Sequence, residues 1–109
     1  MEEIHNKLVR DKIAEIIKNN GENPIIEILN EDRYKEELEK KLYEECNEVI
    51  NSSGVNRLEE LGDLLEVIRA LAKIEDKELE DIIKIAEEKV KRRGAFNNRI
   101  YLKKVINDK

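Results

Sequence analysis

Apolar residues recur at helical spacing in four stretches of the chain, each bounded by residues that stop a helix. Leu8, Val9, Ile13, Ile16 and Ile17 fall on one face, and Asn19-Asn20-Gly21 closes the pattern, which predicts a first helix over 8–20. Pro24 opens P-I-I-E-I-L, too brief for a helix and readable as an extended segment or edge strand. Asn30 is placed to cap a second helix over 31–51, which Asn51-Ser52-Ser53-Gly54 breaks. Asn56, with Glu59 three positions on, predicts a capping box for a third helix ending near Ile74. Asp76 fits the cap of a fourth helix over 77–93, and Gly94 ends it. The closing stretch A-F-N-N-R-I-Y-L-K-K-V-I-N-D-K reads either as an extended tail or as a short helix. The expected fold is mainly α, a four-helix bundle with short extended segments near 25–29 and 100–105.

Composition supports helices and narrows the partners. At 109 residues the chain fits one domain, 1–109, with a modest core; one Pro, four Gly and few aromatics favour helices over sheets. The net charge of -5 argues against a nucleic-acid grip, which needs a basic surface, so no nucleic-acid partner is expected. No apolar run approaches the roughly 20 residues of a membrane span, and M-E-E-I-H-N lacks the basic and apolar parts of a signal peptide. No membrane partner and a cytoplasmic location are therefore expected. Cys46 is the single cysteine and reads as a small core residue, and His5 reads as an exposed terminal residue.

Acids interrupt the apolar faces of the second and third helices. At about 100° per residue and with Leu38 at zero, Tyr34, Leu42, Cys46, Val49 and Ile50 span about -40° to +120°. Glu45 falls inside that arc at about -20°, Glu48 at its margin near -80°, and Glu44 near -120° faces water. With Leu58 at zero, the apolar arc of the third helix covers about 180° to 340°. Glu60 lies inside it at about 200° and Asp63 just outside at about 140°, while Glu59 and Glu66 point away.

Carboxylates on an apolar face are costly and repel one another, and a shared divalent cation offsets both effects. Oxygen-only ligands suit Mg²⁺, with Mn²⁺ as the alternative. Salt bridges to Lys or Arg across a helical interface are the competing explanation. Di-iron, zinc and Ser or Cys nucleophile chemistries fit poorly, because each asks for histidines or cysteines that one His and one Cys do not supply.

K-L-Y-E-E-C-N-E at 41–48 followed by E-E-L-G-D-L-L at 59–65 resembles the E-x-x-E plus E-x-x-D signature of the all-α nucleotide pyrophosphohydrolases, the MazG-like and phosphoribosyl-ATP pyrophosphohydrolase-like superfamily. N-K-L-V-R-D-K-I at 6–13 and K-R-R-G-A-F-N-N-R-I-Y-L at 91–102 are similar to segments of a small MazG-like branch, although Ala14 and Ala95 stand where that branch often has Pro and a second Gly. The resemblance implies a MazG-like bundle, Glu45, Glu48, Glu60 and Asp63 as Mg²⁺ ligands, and a homodimer or larger homo-oligomer. The implied reaction is hydrolysis of a nucleoside triphosphate or related nucleotide to monophosphate and pyrophosphate, in the manner of nucleotide-pool house-cleaning.

In that reading Glu45 and Glu48 are the candidate general bases. Arg10, Lys12, Lys89, Arg92 and Arg93 are candidate cations for the phosphates, and Lys41 either joins them or neutralises the acids when metal is absent. The alternative is a non-enzymatic helical interaction or regulatory module whose acids form interface salt bridges.

Overall fold

The second helix exists because a polar cap and an apolar stripe agree. In the computed structural model, which describes residues 1–107, Asn30 accepts the backbone N–H of Arg33 through its side chain at 2.9 Å and α2 runs Glu31–Ile50. The other helices are α1 (Ile13–Asn19), α3 (Gly54–Ile74) and α4 (Leu79–Arg93). The fold is mainly α, as the periodicity predicts, and no strand forms among the described residues. The segments at 25–29 and 100–105 carry no regular structure. Residues 108 and 109, the end of the stretch left open between tail and helix, lie outside the described residues.

The chain reverses tightly between α2 and α3. Asn51 Nδ2 donates to the Asn47 carbonyl at 2.9 Å, and Ser52 Oγ and Arg57 Nε donate to the Val49 carbonyl at 3.0 and 3.2 Å. The bonds to Val49 serve a carbonyl at the end of α2, where no further helical turn follows, and the Asn51 side chain reinforces the bond its own backbone N–H makes to Asn47. Gly54 takes φ +58, a left-handed conformation that glycine adopts without strain, and α3 begins there with Ser53 at its N-cap. The capping box expected of Asn56 and Glu59 is therefore not formed. Both residues already lie inside the helix and are exposed.

The start of α4 shifts for a related reason. Asp76 has φ +58 and donates its N–H to the Lys73 carbonyl, while Lys77 N–H reaches the Ala72 carbonyl, so both residues finish α3. Glu78 is the N-cap of α4 in place of Asp76, and its backbone N–H donates to the Asp81 carboxylate at 2.9 Å. Gly94 follows the last residue of α4, as expected. The first helix is shorter than the 8–20 pattern: 8–12 is not helical, and along that path Arg10 reaches an ion pair with Asp63.

α2 and α3 form an antiparallel hairpin, with Glu45 beside Glu60 near its closed end and Tyr34 beside Ala70 and Ile74 near its open end. α4 meets α3 only at its own start, where Leu79 is buried and Asp81 and Ile82 are half-buried; residues 83–93 are all exposed. α1 packs against none of the other helices. Among the described residues no helix is long and apolar enough to cross a membrane.

Among the described residues the buried apolar ones are few: Leu38, Ala72 and Leu79. Leu38, 2% exposed, is the most deeply buried residue of α2. Leu38→Ala should therefore cost about 3 kcal/mol of unfolding free energy. Asn30→Ala should cost about 1 kcal/mol through loss of the cap. Urea unfolding followed by helical circular dichroism checks both, and a Leu38→Ala chain as stable as wild type would show that the seam is not the core.

Candidate metal centre

Helical spacing places one carboxylate of α2 against two of α3. Carboxylate oxygens of Glu45, Glu60 and Asp63 all lie within 4.8 Å of one another, and the three side chains are half-buried. Oxygens around a single Mg²⁺ at about 2.1 Å sit roughly 3 to 4.2 Å apart. Glu48, one turn beyond Glu45 on the same helix, is exposed and stands outside the group of three, although its charge still acts on Glu60. Glu44, Glu59 and Glu66 are exposed, as the angular positions predict.

The arrangement is repulsive without a cation. The Glu45 carboxyl is held above its ordinary range by burial, then by Asp63, with smaller contributions from Glu44 and Glu60 that Lys41 partly offsets. Burial again leads for Glu60, which is also raised by Asp63, Glu48 and Glu59. Lys41 Nζ sits 3.6 Å from Glu44 while its charge acts on Glu45, so it lies at the edge of the cluster.

Arg10 enters the cluster directly. Its guanidinium donates to Asp63 Oδ1 at 2.7 Å, from a position 53 residues earlier in the chain. The two side chains are 59% and 47% exposed, so the pair is worth about 1 kcal/mol or less and opens readily. The pattern of residues marks Arg10 as a candidate cation but does not reveal this partner, because the pairing depends on the non-helical path of 8–12.

The remaining candidates lie elsewhere. Lys12 is exposed at the N-cap of α1. Lys89, Arg92 and Arg93 are exposed on the part of α4 that projects beyond its contact with α3, and the fold of one chain does not bring them to the acids. His5 lies 3.8 Å from Glu3, both exposed, and Cys46 is half-buried on α2.

The donor set is all carboxylate, which suits a hard divalent cation. No protein-family model, curated protein or solved structure matches the chain.

The raised carboxyls make a signed prediction. Both groups bind a proton more tightly in the folded chain than at the ordinary value of 4.5, so their stabilising protonation is complete below that value and is lost as pH rises through the folded values. We expect the thermal midpoint of the metal-free wild type, measured relative to Glu45→Gln/Glu60→Gln, to fall as pH climbs above 4.5 and then level off. A relative midpoint that rises across that window would contradict the repulsive cluster.

Proposed function

We propose that the chain is a Mg²⁺-dependent nucleotide pyrophosphohydrolase, acting on a nucleoside triphosphate or related nucleotide and releasing the monophosphate and pyrophosphate. The observation that carries this reading is the convergence of Glu45, Glu60 and Asp63 within 4.8 Å, at the positions where the sequence resembles the MazG-like signature. Nucleotide-pool house-cleaning in the cytoplasm, where Mg²⁺ and triphosphates are abundant, is the role this suggests. Self-association as a homodimer or larger homo-oligomer belongs to the same reading.

Glu45, Glu60 and Asp63 would hold the ion, with exposed Glu48 completing the set or facing its outer shell. When bound, Mg²⁺ supplies charge to the phosphate oxygens and a more acidic water. Glu45 combines partial burial with a raised carboxyl, which suits it to accept a proton from the attacking water; exposed Glu48 is the other candidate base. Arg10 holds Asp63 in the metal-free chain and, being half exposed, is free to turn its fork of donors toward a phosphate when an ion takes its place. Lys41 stands at the edge of the same cluster, and Lys12, Lys89, Arg92 and Arg93 are the further cations of this reading.

A second reading is favoured by the Arg10–Asp63 pair itself: a helical interaction module whose acids are met by basic groups. The two readings separate on turnover. With canonical, deoxy and damaged nucleoside triphosphates and Mg²⁺, we expect pyrophosphate release from at least one substrate, and a loss of more than about 100-fold in Glu60→Gln. If no nucleotide yields Mg²⁺-dependent pyrophosphate, or Glu60→Gln matches wild type, the enzymatic reading fails and the module reading stands.

A further inference from the structure

The N-terminal segment reaches the hairpin through a long side chain. All of 1–12 except the half-buried Leu8 are exposed, and α1, which follows, packs against none of the other helices. Among the described residues, the polar contact that joins 1–12 to the hairpin is Arg10 on Asp63.

That contact sits on a carboxylate that an ion would need. Asp63 Oδ1 accepts from the guanidinium at 2.7 Å, and Asp63 supplies one of the three carboxylate oxygens that lie within 4.8 Å of one another. An ion about 2.1 Å from either Asp63 oxygen would stand within roughly 7 Å of the guanidinium, inside the Debye length of about 8 Å at physiological salt. Two cations at that distance repel with little screening. The guanidinium and a divalent ion therefore draw on the same negative charge and oppose each other in doing so.

We infer that residues 1–12 are a strap latched by Arg10, and that the latch and a divalent cation compete for Asp63: the closed strap weakens cation binding, and a bound cation opens the strap. This rests on the cluster being a metal centre, as proposed above, and adds a means by which the chain controls that centre.

The exposure of the pair sets the size of the effect. With the two side chains 59% and 47% exposed, the latch favours the closed strap by no more than about five-fold. The strap is then open in at least about one chain in six, and the apparent affinity for a cation falls in proportion to that open fraction, by up to about six-fold. Linkage is reciprocal, so a saturating cation raises the open fraction by the same factor.

Two measurements on the full chain test this reciprocity. In a Mn²⁺ titration followed by the free-ion electron paramagnetic resonance signal, Arg10→Gln should bind about three- to six-fold more tightly than wild type. Lys7→Gln, which removes an equal charge from the same exposed segment, should bind as wild type does. In limited digestion, trypsin must take the Arg10 side chain into its own pocket, so it cuts there only when the latch is open. Saturating Mn²⁺ should speed cleavage after Arg10 by the same factor, measured relative to cleavage after the exposed Lys104. Asp63→Asn should show the fast cleavage without Mn²⁺ and no further response to it. The inference is overturned if Arg10→Gln binds Mn²⁺ no more tightly than wild type, if bound Mn²⁺ leaves cleavage after Arg10 unchanged, or if Asp63→Asn does. Wild type that binds Mn²⁺ and still gives one of those results counts against the strap alone, whereas wild type that binds no Mn²⁺ overturns the strap and the metal centre together. Neither readout uses a nucleotide, so neither depends on pyrophosphate release.

Discussion

Three carboxylates pressed together at the seam of one helical hairpin are the interaction on which the rest of the structure depends. The apolar residues that bring α2 and α3 together, Leu38 above all, also carry Glu45 toward Glu60 and Asp63. Packing favours the approach and charge opposes it. Burial and mutual repulsion leave Glu45 and Glu60 with raised carboxyls, and the chain offers only partial relief through Arg10 on Asp63 and Lys41 near Glu45. A half-exposed ion pair relieves such a cluster weakly, whereas a divalent cation relieves it strongly. That difference is the physical basis of the metal-dependent reading.

The hairpin also divides the labour of its surface. Glu45, Glu60 and Asp63 gather at the seam, while Leu58, Leu61 and Leu65 of α3 stay exposed. With so few buried residues among those described, one chain carries little core of its own, so each seam residue weighs heavily in its stability.

Much of this was legible in the residues. The 100° step placed Glu45 and Glu60 inside their apolar arcs and set Glu44, Glu59 and Glu66 aside, and the structure has the same division of half-buried and exposed acids. Asn30 was recognisable as a cap because side chain and helix start are adjacent in sequence. The misplaced caps, Asn56 and Asp76, sit beside turns whose geometry is set by positive φ at Gly54 and at Asp76 itself, which propensity does not announce. Arg10 was found as a cation but not as the partner of Asp63. Its ion pair spans 53 positions and runs through a segment that the apolar spacing assigned to a helix. The exposure of Leu58, Leu61 and Leu65 depends on which faces the helices cover, and only the assembled helices show that.

If these acids converge to hold a divalent cation, Mn²⁺ makes the binding directly visible. Titrating the metal-free chain into Mn²⁺ and following the free-ion electron paramagnetic resonance signal should show saturable loss of signal for wild type. Glu45→Gln and Glu60→Gln should each weaken that binding by more than about 10-fold, with Glu66→Gln indistinguishable from wild type. Wild type that leaves the Mn²⁺ signal unchanged, or that loses no affinity when Glu45 and Glu60 are both neutralised, would contradict a metal centre at this seam.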